Sequence, residues 1–282
     1  MYFLQKLKRE LITFFSRTCV RAARNDYLGL DLRYPIIYGM GRGYVIPKEL
    51  TMGYLLEAFV KSKKGMVIDI GANVGVYLVK LRVIDSEREY VGLEPNPVCV
   101  HYVNELIRLN RFKNCRILPV ALGRRLDLVT LNARKLGDKT ASITANSDEA
   151  DGLGTFAHSA ITMAGDEVIH HLAPREISVI KIDVEGGELE VLLGLQETLK
   201  QYRPYLYVEI WAEIGEKQIG DLLALIESLD YGVYGLVGKD RLLTVSDASD
   251  IQVQFDPNYI LVPHEDRKRF LSALDSTPIE FV

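Results

Sequence analysis

Four acidic side chains stand where apolar runs give way to small residues. Asp69 does so in "VIDIGANVG", Glu94 in "VGLEPNP", and Asp183 and Glu185 in "IKIDVEGGELEVLLG". Ligands of open α/β sheets bind outside the carboxyl ends of the strands, near the switch point, so these carboxylates are expected to face one crevice. Glu94 there has the chemistry to accept two hydrogen bonds from the cis-diol of a ribose. Asp183 and Glu185, two apart, are expected on the same side of an extended strand, where mutual repulsion would raise at least one pKa and create a proton acceptor for a hydroxyl. A turn beginning at Val184 would separate them. The competing readings are structural: a solvated acid at a strand end for Glu94, and a helix cap for Glu185 or Glu188.

The turn "DIGANVG" brings these acids a partner. Gly71 and Gly75 allow the backbone to pass close to a ligand, and the helix that follows offers unpaired N–H groups at its start. The turn has neither the GxGxxG of a dinucleotide fingerprint nor the terminal GK[ST] of a P-loop, which argues against an NAD-dependent oxidoreductase.

The elements that must position these residues alternate. From Gly65 onward "MVIDI", "EYVGLE", "CRILPVAL", "ISVIKID", "PYLYVEIW", "YGVYGLV" and "PNYILVP" read as seven strands. Helices are expected near 74–84, 97–111, 187–201 and 216–229. The alternation specifies an α/β fold with a Rossmann-like, mostly parallel sheet and helices on both faces. Residues 131–175 interrupt it with short β-like pieces and no clear helix, and a stretch of that length is expected to serve the acceptor side of a cleft.

Composition narrows the class. With 282 residues and 48% hydrophobic content one large domain can bury a core, and a net charge of -4 gives no nucleic-acid signature. Cys19, Cys99 and Cys115 lack any CxxC spacing, so neither a disulfide framework nor a zinc site is expected, and a reducing cytoplasm fits. His101, His158, His170, His171 and His264 read as surface residues, and no metal site is expected. The opening "MYFLQKLKRELITFFSRTCVRAARN" places Leu4, Leu7, Leu11, Phe14, Phe15, Thr18 and Ala22 at helical spacing among six basic residues. It is too interrupted by charge for a signal peptide or a spanning helix. Such a basic amphipathic helix suits packing on its own domain, a homodimer contact, or peripheral docking on the inner face of an anionic membrane.

Taken together, "VIDIGANVG", "GLEPNP", "PVALG", "AGDEVI" and "VIKIDVEGGELEVLLG" resemble, in order and spacing, the FkbM-family methyltransferases, a branch of the class I S-adenosylmethionine-dependent enzymes. The resemblance covers residues 65–212 and implies a seven-stranded sheet and O-methyl transfer to a hydroxyl of a glycan, sugar or natural product. S-Adenosyl-L-methionine would lie against Asp69, Gly71, Ala72, Asn73 and Gly75, with Glu94 on the ribose, Asn96 beside the nucleoside, and Ala121 and Leu122 flanking adenine. Asp183 and Glu185 would sit nearest the methyl group, and "YVEIW" would turn Glu209 and Trp211 toward the acceptor. The family commonly has Leu before the acid at Asp166, where this chain has Gly165. By this reading residues 1–64 are a helical extension packed on a methyltransferase domain, 65–282, in which 131–175 is an acceptor-side insertion. A nucleic-acid methyltransferase is opposed by "DVEGG" standing where an Asn/Asp-Pro-Pro-aromatic motif would be. A non-catalytic adaptor is opposed by the retained Asp69, Glu94 and Asp183.

Overall fold

The computed structural model describes residues 21–38, 40–41, 50–133, 142–143, 156–211, 214–238, 240–247, 250–251 and 257–281. β1 (Arg21–Tyr27) and β2 (Leu30–Ile36) form an antiparallel hairpin whose turn residues Leu28 and Gly29 both take positive φ, 51° and 86°. The end of the expected amphipathic helix is therefore a strand, and the rest of it, 1–20, lies outside the described residues. α1 (Leu50–Ser62) is the helix of the expected 1–64 extension that falls within the described residues.

The main sheet holds β3 (Met66–Ile70), β4 (Tyr90–Leu93), β5 (Cys115–Leu118), β10 (Ile177–Ile182), β11 (Tyr205–Glu209), β12 (Tyr231–Val237), β13 (Arg241–Val245), β14 (Asn258–Pro263) and β15 (Glu280–Phe281). Their order is β15-β13-β12-β14-β11-β10-β3-β4-β5. The five strands from β11 to β5 are parallel, and β14 runs antiparallel to β11 and β12. All seven expected strands contribute to it, and β13 and β15 extend the sheet to nine. Helices α2 (Val76–Ile84), α3 (Pro97–Asn110), α7 (Glu216–Ser228) and α8 (Arg267–Leu274) belong to the covering layers. Every residue of β3 and β10 is buried, which is why both read as near-continuous apolar runs rather than alternating ones. Sequence neighbours of β3 lie on one side of it and β10 on the other, so the carboxyl ends of β3 and β10 flank the switch point.

Two sequence expectations give way to local chemistry. "CRILPVAL" is not one strand: Pro119 cannot donate to a ladder, β5 ends at Leu118, and β6 (Ala121–Gly123) crosses to a second sheet. That sheet runs β6-β9-β7-β8, with β7 (Asp127–Ala133), β8 (Ser142–Ile143) and β9 (Phe156–Ala164). The 131–175 stretch thus contains β9 and a helix, α4 (Gly165–Leu172), where no helix was expected; 134–141 and 144–155 lie outside the described residues. Likewise the helix expected over 187–201 is two, α5 (Glu188–Leu193) and α6 (Gln196–Tyr202). Gly194 O is taken by Asp166 N at 2.7 Å, and the Asp166 carboxylate accepts from Thr198 N (2.8 Å), Thr198 Oγ1 (2.6 Å) and Glu197 N (3.1 Å), so it starts the second helix as a cap. Asp166 therefore has a structural occupation. Among the described residues no helix is long and apolar enough to cross a membrane.

The break between α5 and α6 also carries the second sheet, because a Cβ on Gly194 would meet Gly123 O of β6 at 1.9 Å. Gly194→Ala should therefore cost about 1–3 kcal/mol, the usual range for overpacking, measured as a lowered urea midpoint at unchanged m-value. An unaltered midpoint would mean that this contact is not tight.

Candidate active site

The glycine turn is clamped from both sides. Gly71 N and Ala72 N donate to Leu93 O at 3.0 and 3.1 Å, and Asp183 N donates to Ile70 O at 3.1 Å. Gly71 has φ 78°, and a Cβ there would lie 1.8 Å from Asp183 O, so only glycine lets β3 and β10 approach this closely. Asn73 also takes a left-handed conformation, φ 49°.

Glu94 fastens this turn to the next one. Its Oε2 accepts from Asn73 N and its Oε1 from Asn96 N, both at 2.8 Å, while Asn96 Oδ1 caps α3 by accepting from Val98 N at 3.0 Å. Burial pushes its carboxyl up to about 7 against the opposing pull of the two N–H donors.

Beneath the turn lies a buried ionic bridge. The Lys181 ammonium stands 3.2 Å from Asp69 Oδ1 and 3.0 Å from Asp183 Oδ2, and it donates to Gly71 O at 3.2 Å. Tyr90 donates its hydroxyl to Asp69 Oδ2 at 2.6 Å. Burial works against the charge of Lys181, but the two carboxylates outweigh it and hold its pKa above the ordinary value. Burial raises Asp69, with Lys181 and Tyr90 pulling the other way.

At the mouth, Asp183, Glu185 and Glu209 bring carboxylate oxygens within 4.8 Å of one another, near enough to share a cation; the Lys181 ammonium already supplies one positive charge to Asp183. The paired acids are Asp183 and Glu209, which hydrogen-bond each other, rather than Asp183 and Glu185. β10 ends at Ile182, and Glu185 takes φ 58° in the turn that follows. Burial favours the neutral form of Asp183, yet Lys181 and the hydrogen bond from Glu209 hold it below its ordinary value. Burial and then the Asp183 charge push Glu209 up to about 8, although the Trp211 side chain donates to it. Glu188, the first residue of α5, reaches back to the turn before the helix, its Oε1 accepting from Val184 N (3.3 Å) and Gly186 N (3.1 Å), and no side-chain hydrogen bond caps the helix at Gly187.

Glu94, Asp183, Glu185 and Glu209 open onto a cleft of about 900 Å³, within the size range of small-molecule sites. Of the expected residues, Gly71, Asn73, Glu94, Asn96, Ala121, Leu122, Asp183, Glu185 and Glu209 line it. Asp69, Ala72 and Gly75 do not: Asp69 is fully buried in the ionic bridge, Ala72 packs beneath Gly92, and Gly75 faces Val103 and Leu106. None of His101, His170, His171 or His264 lines it either. Sequence reasoning missed Lys181, whose signal was a lone cation inside the apolar strand "VIKI", and Arg124 and Arg125, which stand in the cleft wall directly after β6.

A profile described as the Methyltransferase FkbM domain matches residues 69–233. The hexuronic acid methyltransferase AglP of Haloferax volcanii is 26% identical over 55% of this chain and 60% of its own length, so this chain spans three-fifths of that relative. Methyltransferase sdnD of Sordaria araneosa is 22% identical, over 67% of this chain and 82% of its own. Among solved structures, methyltransferase FkbM of Methylobacillus flagellatus superposes with a TM-score of 0.47 at 17% identity, over 70% of this chain and 43% of that one.

An isolated Glu209 carboxyl titrates near 4.5 and the folded one near 8, so the folded protein binds more protons across that window and stability falls as pH rises through it. Glu209→Gln should flatten the fall, leaving the shares of the other carboxyls that burial raises: Glu94, up to about pH 7, Asp69 and Glu188. Urea midpoints collected across pH test this, and an unchanged slope in the variant would show that Glu209 is ionised in the folded protein throughout.

Proposed function

Because the chain belongs to the FkbM methyltransferase family, we propose that it moves a methyl group from S-adenosyl-L-methionine to a hydroxyl oxygen of a sugar, glycan or natural product. The observation that carries this reading is the hydrogen-bonded Asp183–Glu209 pair, which shares one cleft with the glycine turn and Glu94. A relative named for hexuronic acid supports a sugar as the acceptor class.

The donor set fits the cofactor. Each Glu94 oxygen accepts one backbone N–H, and a carboxylate oxygen has further lone pairs with which to receive a ribose hydroxyl. Backbone at Gly71 offers an approach that no side chain obstructs. Asn96 would lie beside the nucleoside and Ala121 and Leu122 against the adenine, while Asp183, Glu185 and Glu209 give the cleft the negative charge that suits a sulfonium. When bound, S-adenosylmethionine supplies an electrophilic methyl group. The chain's own part is alignment, which is worth roughly 7–11 kcal/mol in well-oriented systems, and removal of the acceptor's proton.

Glu209 is the group with the basicity for that removal, since a base works best with a pKa near the working pH. Asp183, held ionised by Lys181, orients it and keeps its pKa high. Glu185 adds to the same negative field.

Two measurements test the reading. Glu94→Ala should weaken S-adenosylmethionine binding by about 1.5–3 kcal/mol, the range for hydrogen bonds to a charged group, and unchanged calorimetric affinity would refute the ribose assignment. Asp183→Asn and Glu209→Gln should bind the cofactor yet lose ~100-fold or more in turnover, the lower range for a general base, and the wild-type rate should climb with pH toward about 8. Full activity in both variants would sink the base assignment.

A further inference from the structure

Methyl transfer, as described, leaves one wall of the cleft without a task. Arg124 and Arg125 are the cations among the described residues that line it, and they sit in the same cleft as Glu94, Asp183, Glu185, Glu190 and Glu209. Arg125 stands 3.6 Å from Asp127, whereas Arg124 has no hydrogen-bond or ion-pair partner among the described residues. An exposed arginine usually carries no message. This one sits on a backbone fixed at several points: β6 pairs with β9, Thr162 donates its hydroxyl to Arg125 O at 3.1 Å, and Gly123 O is pressed against Gly194. Val129 and Leu131, on β7, add apolar surface to the same cleft.

That division of charge sorts ligands. A cationic donor is drawn to the carboxylates, which repel any anionic group on the acceptor; the arginines are where such a group is welcome. We propose that Arg124, backed by Arg125, is an acceptor-recognition site for a carboxylate on the sugar, gripping it through the guanidinium fork while a neighbouring hydroxyl is presented to Asp183 and Glu209. Two arginines against one Asp127 leave a single net positive charge, which matches a carboxylate monoanion better than a phosphate dianion. The assignment rests on the methyl-transfer reading, since it supplies that reaction's acceptor.

The test uses the full chain saturated with S-adenosylhomocysteine and three probes: methyl β-D-glucuronide, the neutral methyl β-D-glucoside, and glucose 6-phosphate. Calorimetry should find the glucuronide bound at least about tenfold more tightly than the glucoside, as a hydrogen-bonded charge pair implies. Arg124→Gln should erase that preference and Arg124→Lys restore part of it, both with S-adenosylhomocysteine affinity unchanged. Equal binding of glucuronide and glucoside, tighter binding of the phosphate, or no binding of any sugar would overturn the assignment. So would a loss of S-adenosylhomocysteine affinity in Arg124→Gln, which would mean that Arg124 holds the cofactor's own carboxylate. Failure of the wild type to bind S-adenosylhomocysteine at all would instead bring down the methyl-transfer reading itself.

Discussion

A single buried ammonium organises the centre of this protein. Lys181 lies on β10, between Asp69 on β3 and Asp183 beyond the end of β10, and it also holds the carbonyl of Gly71. Breaking a buried pair by removing one partner commonly costs about 3–5 kcal/mol, because the remaining charge is left uncompensated. Here removal would strand two carboxylates. The two strands so joined are those that flank the switch point, and the Gly71 turn can cross between them only because it has no side chain. The bridge thus fixes the part of the cleft floor formed by Gly71 and Asp183.

The same cation decides how a proton is distributed at the mouth. Asp183 and Glu209 are both carboxyls, yet only one of them lies against the ammonium. Asp183 is accordingly kept charged, and its charge, together with burial, forces Glu209 to retain a proton to about pH 8. Two like groups are given different characters by one neighbour.

The parallel core was legible in the sequence because fully buried strands show as apolar runs, and each of "MVIDI", "ISVIKI" and "PYLYVEIW" could be placed without knowing its neighbours. The glycine turn and Glu94 were legible because a small set of residue types permits such a turn. What escaped was tertiary in origin. The split of "CRILPVAL" depends on where β9 lies, the division of α5 from α6 on a carboxylate 32 residues upstream of Thr198, and the partner of Asp183 on β11 rather than on its own strand. Asp69 was assigned to the right place and the wrong layer: it supports the turn from below instead of facing the cleft.

Glu94 has one more consequence. One carboxylate ties the turn after β3 to the cap of α3, and its pKa near 7 leaves it part-protonated at neutral pH. A ligand hydroxyl that donates to it favours the ionised form. Filling the cleft with such a ligand would therefore also release a proton: affinity would tighten as the medium becomes more alkaline through neutrality, and the heat of association would include the ionisation enthalpy of whatever buffer takes up the proton.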